Sequence, residues 1–109
     1  MQKAGEKSRF IFTDYIFCFD EEKNKKLKLE RGIGFEEVIN ILQMGLELDV
    51  INHHNKNKYS NQKIFVIEKN NYVYAVPYVE DDNRRIFLKT IFPNRKLQKK
   101  YLPSLLAKR

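Results

Sequence analysis

A chain of 109 residues with a formal charge of +7 is one domain's worth (residues 1–109), able to bury a core without metal or disulfide staples. Its single thiol, Cys18, excludes an intramolecular disulfide and points to a reducing cytoplasm. No stretch approaches the roughly 20 apolar residues that span a bilayer, and no signal-peptide run opens the chain.

Met1 to Ser8 is a polar lead without apolar periodicity, as in a partly disordered terminus. A first strand is expected between Arg9 and Phe19, with Tyr15 to Phe19 favoured by its aromatic and β-branched content. Asp20 offers a helix N-cap and Glu21 and Glu22 an acidic first turn, so Glu22 to about Glu30 is expected to be helical. Its apolar content is Leu27 and Leu29 among four lysines, which places it on the surface. Gly32 and Gly34 break it. A second helix starts at Phe35, with Phe35, Val38, Ile39 and Leu42 forming a buried stripe and Gly45 ending it.

Leu46 to Ile51 reads as a short strand. Asn52 to Gln62 has no core-forming period and reads as an exposed loop carrying His53, His54, Lys58 and Tyr59. Lys63 to Lys69, Tyr72 to Val79 and Arg85 to Phe92 then make an antiparallel meander, turned at Asn70-Asn71 and at Asp81 to Asn83. Pro77 cannot donate to a ladder and marks a bulge or an edge. Tyr72, Tyr74, Val76 and Tyr78 share one face by parity; the smaller face of Val73, Ala75, Pro77 and Val79 is expected to take the helices. The fold class is therefore α+β, with two N-terminal helices packed on one face of an antiparallel sheet.

The stretch from Ile86 to Lys96 concentrates phosphate-binding groups at the end of the last strand. Pro93 stops the pairing, and Lys89, Asn94, Arg95 and Lys96 sit on or just past a rigid element. From Ile86 onward the chain has no acidic residue, while Lys99 and Lys100 add charge. Such a surface attracts polyanions: nucleic acid first, with anionic lipid and acidic protein as the other classes.

The segment FDEEKNKKLKLERGIGFEEVINIL resembles the opening of the BrnT-type toxins: a helix of Lys and Asn, a glycine turn, and a Phe-Glu-Glu helix start. FLKTIFPNRKLQKKYL resembles the same family's close, so the likeness runs from Phe19 to Leu102. Arg31 departs from it where a His before the glycine is frequent, as does Asn94 where a small residue or Ser is usual. The resemblance implies a RelE-like α+β ribonuclease toxin of a type II toxin–antitoxin system, acting in the cytoplasm. It implies a cognate antitoxin and RNA as partners, with mRNA on or off the ribosome as substrate and operator DNA bound by the toxin–antitoxin complex. By position, Arg95 and Lys96 match the basic pair at the strand end and Tyr101 the aromatic of the tail.

A metal-free ribonuclease must deprotonate a ribose 2′-OH, stabilise the added negative charge and protonate the leaving oxygen. Arg95 is the best stabiliser, since a guanidinium grips two phosphate oxygens at once; the alternative is a surface arginine paired with Asp81 or Asp82. His53 and His54 have the ordinary pKa, roughly 6.5, for proton transfer near neutrality. Tyr101 is a stacking group or proton donor, and Tyr59, Tyr74 and Tyr78 are further stacking candidates. Lys58, Tyr59, Lys89, Asn94, Lys96, Lys99 and Lys100 complete the RNA-binding set. No cofactor is expected, nor a zinc site, because adjacent histidines share no helical face and Cys18 has no second thiol. The competing function is a non-catalytic nucleic-acid- or protein-binding module using the same basic surface.

Overall fold

The computed structural model describes residues 14–52 and 62–107, with side chains as far as Pro103. His53, His54, Lys58 and Tyr59 lie outside the described residues. The element order is β1 (Ile16–Cys18), α1 (Glu21–Arg31), α2 (Phe35–Gln43), β2 (Asp49–Asn52), β3 (Gln62–Lys69), β4 (Tyr72–Glu80), β5 (Arg85–Leu88), β6 (Phe92–Pro93) and α3 (Arg95–Ala107). The strands form one six-stranded sheet in the order β1-β5-β4-β3-β2, with β6 also paired to β4.

Local signals explain the first two helices. Asp20 caps α1 by accepting from the Lys23 N–H at 3.1 Å, and Gly32 ends it in the left-handed region at φ 70°. Gly34 has no side-chain oxygen to cap α2, and Asn24 of α1 supplies one: its Oδ1 accepts from the Phe35 N–H at 2.7 Å. The Asn24 amide donates to both oxygens of Glu36 at 3.0 Å, and Glu37 accepts from the Gly34 N–H at 3.1 Å. A Cβ at position 34 would lie 2.9 Å from Asn24 Oδ1 and 2.6 Å from Lys28 Cε, so the close approach of α1 to α2 requires glycine. At the far end Gly45 donates to the Leu42 carbonyl and Leu46 to that of Ile41, the paired bonds that close a helix around a left-handed residue.

Leu27, Ile33, Phe35, Val38 and Leu42 pack on Phe65, Ile67, Val76, Tyr78, Ile86, Leu88 and Ile91, all buried. Each such side chain contributes about 1.5–3 kcal/mol of transfer free energy. The Phe65 and Tyr78 rings stack across β3 and β4 at 3.9 Å and 9°. The tyrosine-bearing face of β4 therefore takes α1 and α2, and the expectation that the smaller face would do so was wrong. Asp49, Val66 and Ala75 are cross-strand neighbours on the opposite face. The Tyr101 hydroxyl donates to Asp49 Oδ2, which lays α3 over that face, where Val66, Val73 and Ala75 are buried.

The class α+β stands, but the arrangement expected from the sequence does not. β1 precedes the helices and pairs with β5 in parallel, so the sheet is mixed. A third helix follows the sheet and packs on its second face. The expected last strand is also interrupted, pairing to Leu88, leaving the ladder over 89–91 and rejoining β4 as β6. Pro77 supplies the reason. In an antiparallel pair a residue's N and C=O point to the same side, and Lys89 N–H donates to Pro77 O. The missing N–H of Pro77 thus faces the gap between β5 and β6, which places this proline inside a central strand.

Candidate nucleic-acid interface

The end of β6 delivers α3 to a fixed place. Asn94 donates its N–H to the Val73 carbonyl at 3.2 Å, and Val73 N–H donates to the Gln98 side chain at 3.0 Å, so both backbone groups of Val73 hold the start of the helix. Asn94 is the N-cap: its Oδ1 accepts from Leu97 N–H at 3.0 Å and its carbonyl from Gln98 N–H at 2.9 Å. Arg95 and Lys96 are then the first two helical residues.

This inverts the usual charge pattern. α1 and α2 carry acids in their first turns, whereas the first turn of α3 has none and starts with two cations. Cations at the positive end of a helix dipole cost about 0.3–1 kcal/mol each, which an anion docked there would relieve. Arg95 and Lys99, one turn apart, line a groove of about 410 Å³ together with Tyr72, Pro93, Asn94 and Gln98. Pairing of Arg95 with Asp81 or Asp82 is overturned for Asp81, which sits at the other end of β4. Its Oδ2 accepts from Arg85 Nε at 2.9 Å and its Oδ1 from the N–H groups of Asn83 and Arg85. Those bonds, the one from Asn83 foremost, hold the Asp81 carboxyl below its ordinary pKa. Among the described residues neither Arg95, Lys96 nor Lys99 makes an ion pair.

The remaining sequence candidates scatter. Lys96, Lys99 and Lys100 are exposed on α3, with Lys100 Nζ 5.3 Å from the Tyr101 ring centre. Lys89 does not join them. Its N–H meets Pro77 O where that of Asn94 meets Val73 O, four residues or roughly 13 Å along β4, and its ammonium lies over the Phe87 ring at 5.1 Å. The Asn94 side-chain oxygen is occupied by the cap. Tyr101 points beneath the helix, and burial first, then the bond to Asp49 and its charge, push the phenol up to about 12. Tyr78 is buried against Phe65 and Tyr74 is half-buried against the core, so neither offers a free ring face. Sequence reasoning missed Tyr72, which is 51 % exposed beside Arg95. Its signal was its place directly after the Asn70-Asn71 turn, where both residues take positive φ.

Among the described residues no group of three His, Cys, Asp or Glu is placed to hold a metal ion, and no helix is long and apolar enough to cross a membrane. The arrangement is a mixed sheet between helices whose C-terminal helix opens on a cationic groove with an exposed aromatic wall. Its fold is similar to that of a ribonuclease toxin of known structure. The crystal structure of the Brucella abortus ribonuclease toxin BrnT superposes with a TM-score of 0.53, covering 73 % of this chain and 96 % of that one at 14 % identity. At that identity the likeness is one of fold. No family profile matches the chain, and no curated protein sequence does.

Proposed function

We propose that the protein is a ribonuclease toxin of a toxin–antitoxin pair, cleaving mRNA without a metal at the groove where β6 meets α3. The observation that carries this reading is the placement of Arg95. It is a cation fixed at the first turn of a helix, with no ion-pair partner among the described residues, beside Lys99 and the exposed ring of Tyr72, on a fold similar to that of a ribonuclease toxin. A phosphodiester in the groove would meet the Arg95 guanidinium, while Tyr72 stacks on an adjoining base and Lys99 and Lys96 neutralise flanking phosphates. In this scheme Arg95 stabilises the charge that grows on the phosphorus oxygens, and in-line placement of the 2′-oxygen supplies much of the remaining acceleration. Tyr101 acts as a positioning residue, tying α3 to β2 through Asp49. The cognate partner is an antitoxin segment of opposite charge that covers the groove. His53 and His54, outside the described residues, are the proposed proton-transfer groups.

One observation favours the second reading, a nucleic-acid-binding module without catalysis. Among the described residues the groove is lined by cations, amides, a proline and a phenol, with no carboxylate or imidazole. Induced expression in a bacterial host separates the two. The toxin reading predicts growth arrest with degraded mRNA for the wild type and normal growth for Arg95→Ala; the binding-module reading predicts intact RNA in both.

A further inference from the structure

A second cationic cleft lies across the sheet edge from the first. On α1, Lys23, Lys26, Leu27, Glu30 and Arg31 fall on one helical stripe, and with Thr90 they line a cleft of about 150 Å³. Leu27 forms its buried floor, and among the described residues neither Lys23, Lys26 nor Arg31 makes an ion pair. Arg31 is not loose: its guanidinium donates to the Ile91 carbonyl, fastening the end of α1 to the segment between β5 and β6. Lys69 Nζ, at the β3–β4 turn, donates to the Gly32 carbonyl at 3.0 Å and brings that turn, and hence Tyr72, to the same end of the molecule.

The two grooves therefore flank one short stretch of chain. Thr90 lines the α1 cleft and Pro93 and Asn94 line the α3 groove; between them β6 pairs only with β4, leaving its outer edge open among the described residues. α1 lies on one face of the sheet and α3 on the other, so the basic groups form a band that turns around this edge. Stability does not call for the band, since like charges in proximity repel.

Resting on the ribonuclease reading, we propose that one RNA strand passes around the sheet edge at residues 90–94, from the α3 groove to the α1 cleft. There Lys23, Lys26 and Arg31 take phosphates several nucleotides away from the reacting one. The ligand is single-stranded RNA longer than the α3 groove alone holds. A flexible strand can turn the edge, whereas a base-paired duplex is too stiff to follow it.

The test is fluorescence anisotropy with the full chain and end-labelled single-stranded RNAs of about 4 and about 12 nucleotides, across a salt series. The variants are the double substitution Lys23→Gln/Lys26→Gln and the same with Arg31→Gln; the double keeps the Arg31–Ile91 tie, so it reports even if the triple unfolds. The proposal predicts a roughly 10-fold or greater loss of affinity for the long RNA and little change for the short one. The slope of log K against log salt should fall by about 0.7 for each phosphate contact removed. Unchanged long-RNA affinity and slope in the double variant overturns the inference and leaves the α3 site standing. Wild-type protein that binds neither RNA overturns the ribonuclease reading itself. Equal competition by polyglutamate of matched charge shows a general polyanion surface and overturns the assignment to RNA.

Discussion

Replacing Tyr101 by Phe separates a tie from a proton donor. The Tyr101 hydroxyl donates to Asp49 Oδ2, whose other oxygen accepts from the Val50 N–H at 2.7 Å. Hydrogen bonds to charged groups are worth about 1.5–3 kcal/mol net, but this pair is half exposed and solvent screens it, so the lower end applies. Tyr101→Phe should cost about 1–2 kcal/mol, which for a domain of this size lowers Tm by roughly 4–8 °C per kcal/mol. The pH dependence has a definite sign. Folding raises the phenol's pKa from 10.0 to about 12, so its contribution is fully present below pH 10 and is lost as pH climbs from 10 through 12. The stability gap between wild type and Tyr101→Phe, from urea melts at stepped pH, should close across that window. RNA cleavage, measured well below both melting points, should survive. Lost cleavage with an unshifted melt would refute the positioning role and put the phenol in the chemistry.

Tyr72→Ala removes an exposed ring from the wall of the α3 groove; it should weaken single-stranded RNA binding by about 1–3 kcal/mol in anisotropy titrations while moving stability by less than about 0.5 kcal/mol. Asn24→Ala strands the Phe35 N–H at the start of α2 and should destabilise by about 1–3 kcal/mol in thermal melts, and a neutral result would mean that water or another group caps that helix. Leu42→Ala empties part of the core between α2 and the sheet and should cost about 2–5 kcal/mol by urea denaturation.

How much of this was legible in the sequence varied with the reach of the forces involved. α1 and α2 announced themselves through Asp20, the acidic first turns and the stripe from Phe35 to Leu42, all local signals within a turn or two of the residues they order. The β3–β4 hairpin was equally local, set by two asparagines with positive φ. The parallel pairing of β1 with β5 was not legible, because three residues of strand carry no mark of direction and the partner lies almost 70 residues on. α3 was hidden by its own composition: the cations at its start invert the dipole pattern that marks a helix N-terminus, and Pro103 within it reads as a breaker. With α3 unseen, the smaller face of β4 was expected to take α1 and α2, and Tyr101 reads as a stacking group or proton donor although Asp49 holds its hydroxyl. Arg95 was legible as a candidate from the proline before it and the acid-free tail after it. Its neighbour Tyr72 came into view only when the hairpin folded the chain back beside it.

The central claim is that Arg95 stabilises charge in the transition state of RNA cleavage. The most direct measurement is the single-turnover cleavage rate of purified wild type, Arg95→Ala and Arg95→Lys on one RNA, with thermal melts alongside. The account predicts a loss of roughly 100- to 1000-fold for Arg95→Ala, about 3–4 kcal/mol of barrier, with a melt within about 0.5 kcal/mol of wild type. Arg95→Lys should recover RNA affinity but little rate, because a lysine keeps the charge without the two-pronged grip on phosphate. A folded Arg95→Ala protein that cleaves at the wild-type rate would contradict the claim.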